Sequence, residues 1–365
     1  MGESSSGVLC FQVKTPLTAA AAAATCLLAT AAASVPMTPR CTDAPAWIEA
    51  APPTVFENDL YGVLKTYLDR ARATLALSSP SLSGFAVLAD SEAAKIPGTL
   101  KGEGLAFDGA FPVFSWRYGL QRTDSRYRPI VTRPLAIPPE ILAEHYDPAK
   151  KNGFSHIGDI DIAAGRLYAP IEDEDNRTKP FIAIFDPKTL LYTGEKHLLP
   201  AAALPHGVPW IAVDAPRGVF YTMDWDSQDL LVFDLRTFAL AKTVALKDAD
   251  TPERPLKRIQ GGKVRAGRLY LASDSDAEAP GGSKLKRKLL YEVDPIGGTA
   301  REIAHFDEPD RAEMEGLAFG PDGVLHVLVL APYFYDARFP PEMEINDDDW
   351  NPSARLEHLK PAPCR

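Results

Sequence analysis

Two identical pentapeptides, Glu-Gly-Leu-Ala-Phe at 103–107 and 315–319, each place an acid before a small residue at the head of an apolar strand. Three further segments, running from His156, His206 and Arg258, share that outline. Aligned on the turn glycine that follows each one (Gly109, Gly165, Gly218, Gly267, Gly323), they place Glu103, Gly158, Pro209, Gln260 and Glu315 in one column. Gly104, Asp159, Trp210, Gly261 and Gly316 form the next column, with His156 and Arg258 two residues ahead and His206 close by. If the five segments are equivalent strands around an axis, these side chains converge. Glu103, Glu315, His156 and His206 are then candidate ligands of a divalent cation, and His156, His206 and Glu315 are candidate proton carriers. Two carboxylates suit calcium; ligating histidines would suit zinc, iron or copper. Trp210, Arg258, Gln260 and Asp159 are the candidate substrate contacts.

The elements that position them follow from the same period. The five glycines recur at steps of 56, 53, 49 and 56 residues, the self-similarity of a propeller or solenoid. After each turn comes an apolar, aromatic-containing strand, such as Arg166-Leu-Tyr-Ala-Pro or Gly218-Val-Phe-Tyr. A polar loop leads to a second run, such as Phe181–Asp186, Leu230–Asp234 or Leu289–Asp294, and then a turn and a last strand. Asp186, Asp234 and Asp294 read as turn formers. Four short strands per unit make a propeller blade, whereas solenoid coils need shorter and more uniform repeats. The expectation is an all-β β-propeller of four-stranded antiparallel sheets around a central channel. It has five blades, or six if residues 45–99 supply more than one strand. Ser83–Ala89 is the candidate strand that closes the ring, and Val55–Ala76, with helical periodicity, is expected outside it.

On the repeated EGLAF motifs and the Asp161-to-Tyr168 DxxxGRLY pattern, residues 100–335 resemble secreted β-propellers of the gluconolactonase and strictosidine-synthase type, and TolB-like propellers more loosely. In such lactonases a Glu of an E-G motif, with Asn and Asp from other blades, holds a catalytic cation, usually calcium. The resemblance implies that role for Glu103 or Glu315. This chain has histidines and Gln260 where the family has Asn and Asp.

The chain has 365 residues, of which 45% are hydrophobic, enough to bury a sizeable core. A formal net charge of -10 excludes a basic face for nucleic acid. Residues 17–33 form an apolar small-residue run after Lys14, with a small-x-small site at Ala31 and Ala33. This reads as a signal peptide at 1–33, the rivals being a membrane anchor, a lipoprotein site at Cys26 and an organelle transit peptide. The remaining organisation is an N-terminal extension with a short helix at 34–80, the propeller at 81–340 and a tail at 341–365. Export, to the periplasm or outside the cell, would oxidise the two cysteines the mature chain keeps. A Cys41–Cys364 disulfide is therefore expected to tie the tail back to the N-terminus. Asn176-Arg177-Thr178 is a glycosylation sequon. No nucleophile elbow, P-loop, HExxH or CxxC pattern occurs.

Two functions fit these residues. One is a secreted monomeric enzyme whose axial cation polarises a carbonyl or activates water to hydrolyse a lactone, ester or related small molecule. The other is a non-catalytic propeller that binds a glycan, peptide or small ligand, its axial residues serving only to close the ring.

Overall fold

The computed structural model describes residues 47–56, 101–138, 141, 156–172, 179–275, 285–308, 312–331 and 353–361. They form a five-bladed β-propeller. An N-terminal strand, β1 (Trp47–Phe56), precedes the first blade, which runs β2 (Gly104–Asp108), β3 (Phe111–Trp116), β4 (Gly119–Thr123) and β5 (Pro129–Arg133) from axis to rim. Blade two splits its inner strand into β6 (His156–Ile157) and β7 (Asp161–Ala163), both paired to β8 (Arg166–Glu172). Outside them lie β9 (Phe181–Phe185) and β10 (Tyr192–Leu198). Blade three is β11 (Ala212–Asp214), β12 (Val219–Met223), β13 (Asp229–Asp234) and β14 (Leu240–Ala245). A two-residue strand, β15 (Lys247–Asp248), runs parallel to the rim of blade four. That blade is β16 (Ile259–Arg265), β17 (Arg268–Ser273), β18 (Lys286–Asp294) and β19 (Thr299–Glu308). Blade five runs β20 (Glu313–Phe319), β21 (Leu325–Ala331), β22 (Ser353–Pro361) and then β1.

The closing blade therefore takes its two outer strands from the two ends of the chain, and Trp47 pairs with Pro361. Both strands lie beyond the 81–340 span read from the repeats, and Val55 and Phe56, expected to begin a helix, end strand β1. The remainder of that helix, Ser83–Ala89, Asn176, the leader, Cys41 and Cys364 lie outside the described residues.

All five anchor glycines sit in the turn between a blade's first and second strands, with φ between +60° and +85°. L-residues other than Asn and Asp avoid this left-handed region, so glycine recurs there with the period of the fold. Successive side chains of a strand face opposite sides of the sheet, which gives each blade two apolar faces. The core is accordingly five clusters, one in each seam between neighbouring blades. Leu167 and Phe185 pack on Val113 and Leu120, Phe220 and Phe233 on Ile182 and Ile184, and Leu271 and Tyr291 on Trp210 and Met223. Val327 and Leu317 pack on Tyr270 and Leu290, and Leu328 and Leu356 on Leu105 and Phe114. The last two seams complete the circle. Among the described residues no helix is long and apolar enough to cross a membrane.

Candidate functional site

The inner strands touch in a closed cycle, β2, β7, β11, β16, β20 and back to β2. Such crowding needs small residues: a Cβ on Gly104 would come within 2.5 Å of the Asp159 Cα, and one on Gly316 within 2.7 Å of the Gly104 Cα. The axis is plugged by Asp159. Its Oδ1 accepts the Leu105 amide at 2.9 Å, and its Oδ2 accepts the Gly262 amide at 3.1 Å and the Lys263 ammonium at 2.8 Å. Its own backbone bonds Pro209 and Ile211. One aspartate thus stitches blade two to blades one, three and four. Burial pushes its carboxyl up to about 7 despite the pull of Lys263 and of the Leu105 amide. Trp210 is fully buried, with its indole against Gly262. Asp159 and Trp210, expected as substrate contacts, both lie in this plug and are almost wholly removed from water.

The polar residues at the strand starts form a belt around one mouth of the ring, where the inner strands begin and the second strands end. His156 Nε2 lies 2.9 Å from Glu103 Oε2 in blade one, and its Nδ1 lies 3.6 Å from Glu172 Oε2. Burial alone would push the imidazole down, but the Glu103 charge and the bonds to Glu103 and Glu172 outweigh it and take His156 up to about 9. It is an imidazolium at neutral pH. His156, expected as a general base, stands between the carboxylates of Glu103 and Glu172.

Next in the belt, Gly207 (φ +104°) lies so close to Glu172 that a Cβ there would be 2.4 Å from Oε1. His206 beside it bonds Asp224 through Nδ1 (2.8 Å) and through its amide (2.7 Å), with its side chain 47% exposed. In blade four Arg258 adopts φ +52°, a strained conformation for a non-glycine residue. Its guanidinium lies over Trp225 and bonds the buried Asp274 at 2.7 Å. Lys288 meets the other Asp274 oxygen at 2.5 Å. Gln260 Nε2 donates to Glu315 Oε1 at 3.4 Å, and the Gly316 amide to the Glu103 carbonyl at 2.9 Å, which returns the belt to blade one.

Glu315 is 4% exposed. Burial, then the charges of Glu103 and Glu313 and a hydrogen bond with Glu313, raise its carboxyl well above the usual carboxylate range. Glu313 is raised too, by burial and the Asp274 charge. The mouth therefore sets Glu315, raised by burial and like charge, beside Glu103, which pairs with the His156 imidazole.

Of the expected residues, Glu103, His156, Gln260, Glu315 and Arg258 lie in this belt, and His206 stands on its exposed rim. Glu103, Glu315, His156 and His206 do not form one ligand set. Both His156 nitrogens face carboxylates, His206 is bound to Asp224, and among the described residues no three His, Cys, Asp or Glu side chains group to hold a metal. Glu172, Asp224 and Asp274 were not singled out from the sequence. They stand seven, six and seven residues after Gly165, Gly218 and Gly267, at the end of each blade's second strand. Each faces the basic residue that opens its own blade, His156, His206 or Arg258. That offset of six or seven residues was a signal available in the repeat.

No protein-family profile matches the chain, and no curated protein matches it. Among solved structures it is similar to a glutaminyl cyclase of Myxococcus xanthus, at 15% identity over 71% of this chain and 89% of that one, with a TM-score of 0.42. It is similar also to a GH43_1 enzyme of Xanthomonas citri complexed with xylotriose (13%, 73% and 88%, 0.45) and to a luciferin-regenerating enzyme (11%, 70% and 78%, 0.39). Likenesses this distant concern the chain trace and say nothing about chemistry.

Proposed function

We propose that the chain is an acid–base hydrolase acting at the mouth of the propeller on a small uncharged molecule, a lactone or an ester. The observation that supports this is the split between Glu315, kept protonated, and Glu103, charged against the His156 imidazolium. Neighbouring carboxyl groups driven into different protonation states are an acid and a base ready for use. The Glu103 carboxylate takes a proton from the attacking water, whose oxygen bonds the acyl carbon. Glu315 gives its proton to the departing alkoxide, and an acid and an alcohol leave. His156 holds Glu103 in place, and Gln260 fixes Glu315 from the other side. The acidic belt disfavours an anionic substrate. The test is hydrolysis of a panel of lactones and aryl esters by wild type, Glu315→Gln and Glu103→Gln, with folding checked by circular dichroism. Each variant is expected to lose about 10²- to 10⁴-fold. Saturable glycan or peptide binding with no turnover by the wild type would replace this reading with the recognition propeller.

Export through the 1–33 leader remains part of the proposal, and so does the Cys41–Cys364 disulfide. The pairing of Trp47 with Pro361 supports the disulfide, because it leaves the two cysteines six and three residues beyond adjacent strand ends.

A further inference from the structure

A second cluster of titratable side chains lies at the opposite end of the propeller, in the seam where the closing blade meets blade one. His326 on β21 and His358 on β22 are directly opposed in the antiparallel ladder and project from the same face. Their Nδ1 atoms are 3.0 Å apart, with the imidazole planes at 89°. From blade one, the Tyr127 hydroxyl comes within 3.5 Å of His326 Nδ1. Tyr127 sits at φ +60° in a loop tied by Asp124, which accepts the Arg126 and Arg128 amides at 2.8 and 2.9 Å. Leu190 and Phe238 have the same backbone sign at the ends of the Asp186 and Asp234 turns, so this conformation is a property of the turn that carries Tyr127.

We propose that His326 Nδ1, His358 Nδ1 and the Tyr127 hydroxyl form a binding site for one divalent transition-metal ion of the zinc type. The ion would bridge the closing blade to blade one, in a role independent of the chemistry at the mouth. Two imidazoles and a phenol oxygen suit zinc, nickel or copper, whereas calcium takes oxygen ligands only. Both rings are more than nine-tenths buried. The outer nitrogen of His358 has the partner a ligating histidine needs, and His326 lies in the field of a carboxylate. His358 Nε2 bonds Thr54 Oγ1 on β1 at 3.1 Å, and His326 faces the charge of Asp322. Glu357 and Glu49 also face His358 and favour a cation there.

The probes are Zn(II) and Ni(II), titrated at pH 7.5 into the full chain after exhaustive chelation, with heat, stoichiometry and melting temperature recorded. One ion per chain is expected to bind saturably and to raise the melting temperature. His358→Gln and His326→Gln should each abolish that event, and Thr54→Val should weaken it about 10-fold through loss of the outer bond. Because a substitution in the seam can impair folding, Ni(II) is also added to wild type and its paramagnetic effect read on the histidine NMR signals. Selective loss of the His326 and His358 resonances supports the site. Absence of one-to-one binding, unchanged binding in His358→Gln, or broadening confined to other histidines would each overturn it.

Discussion

Asp159 and Glu315 stand one position apart in the repeat, Asp159 in the second column and Glu315 in the first, and both are almost wholly removed from water. Asp159 is met by two backbone amides and an ammonium. Glu315 has one long bond from Gln260, a hydrogen bond shared with the raised carboxyl of Glu313, and the repulsion of Glu103, Glu313 and Asp274. A buried carboxylate given enough donors becomes structure, while one surrounded by its own sign keeps its proton. Depth does not separate the plug from the mouth. What separates them is the sign and supply of neighbouring groups, so the two sites should respond in opposite directions when Lys263 at the plug or Glu315 at the mouth is replaced by a neutral side chain.

The largest effect is expected in the plug. Lys263→Met leaves Asp159 buried without its cation and should cost about 3–5 kcal/mol of stability at pH 8, measured by urea denaturation. A loss below about 1 kcal/mol would mean that the two amides suffice and that the axis is not held by the pair. At the mouth, Glu315→Gln should do the reverse, abolishing hydrolysis while stabilising the fold by about 1 kcal/mol, as is common when a functional group held against its environment is relieved. If Glu315→Gln melts earlier than wild type, Glu315 belongs with Asp159 as a closing residue and the contrast between the two regions fails.

What the sequence showed of this contrast depended on which interactions are local. The blade turns were legible because the left-handed backbone at Gly109, Gly165, Gly218, Gly267 and Gly323 restricts the residue type at a fixed phase. The same phase placed Glu103, Gln260 and Glu315 in one column, and they do meet at the mouth. The structural bonds of Asp159 were not legible, because its donors come from Leu105, Gly262 and Lys263 in other blades, and no spacing in the chain announces a donor from across an axis. Glu172, Asp224 and Asp274 went unnoticed because the columns were built backwards from the glycines and these acids lie forward of them. The closing strands were hidden for a different reason. β1 carries Pro52-Pro53, which removes ladder donors and disguises a strand, and its position at the sheet edge is where such prolines are tolerated.

The two regions also titrate in different pH ranges. His156 is raised from 6.5 to about 9, so its contribution is present in full below pH 6.5 and lost as pH rises through 9. A shift of this size corresponds to about 3 kcal/mol. Asp159 is raised too and so has the same sign, but its window lies lower: its contribution is lost as pH rises from 3.8 to about 7, and its influence on the slope ends near there. Denaturation followed from pH 7 to 10 therefore reads the mouth rather than the plug. A decline over that window that disappears in His156→Gln is expected, and a flat profile in wild type would remove the imidazolium from the site.

The smallest effect separates the two carboxylates that flank His156. Glu103 meets the imidazole at 2.9 Å and Glu172 at 3.6 Å, so Glu103 supplies most of the upward shift. Glu172→Gln should move the alkaline decline to lower pH by an amount worth about 1 kcal/mol or less, the usual size of one weak ion-pair contact. Glu103→Gln should move it further. Glu172 has a second constraint: its Oε1 is buried against Gly207 and takes no hydrogen bond among the described residues, so it gains little from that side. Equal displacement in the two variants would show that charge is shared along the whole belt, from Glu103 through His156 to Glu172. The mouth would then have to be treated as one coupled acid rather than as a Glu103 base beside a Glu315 acid.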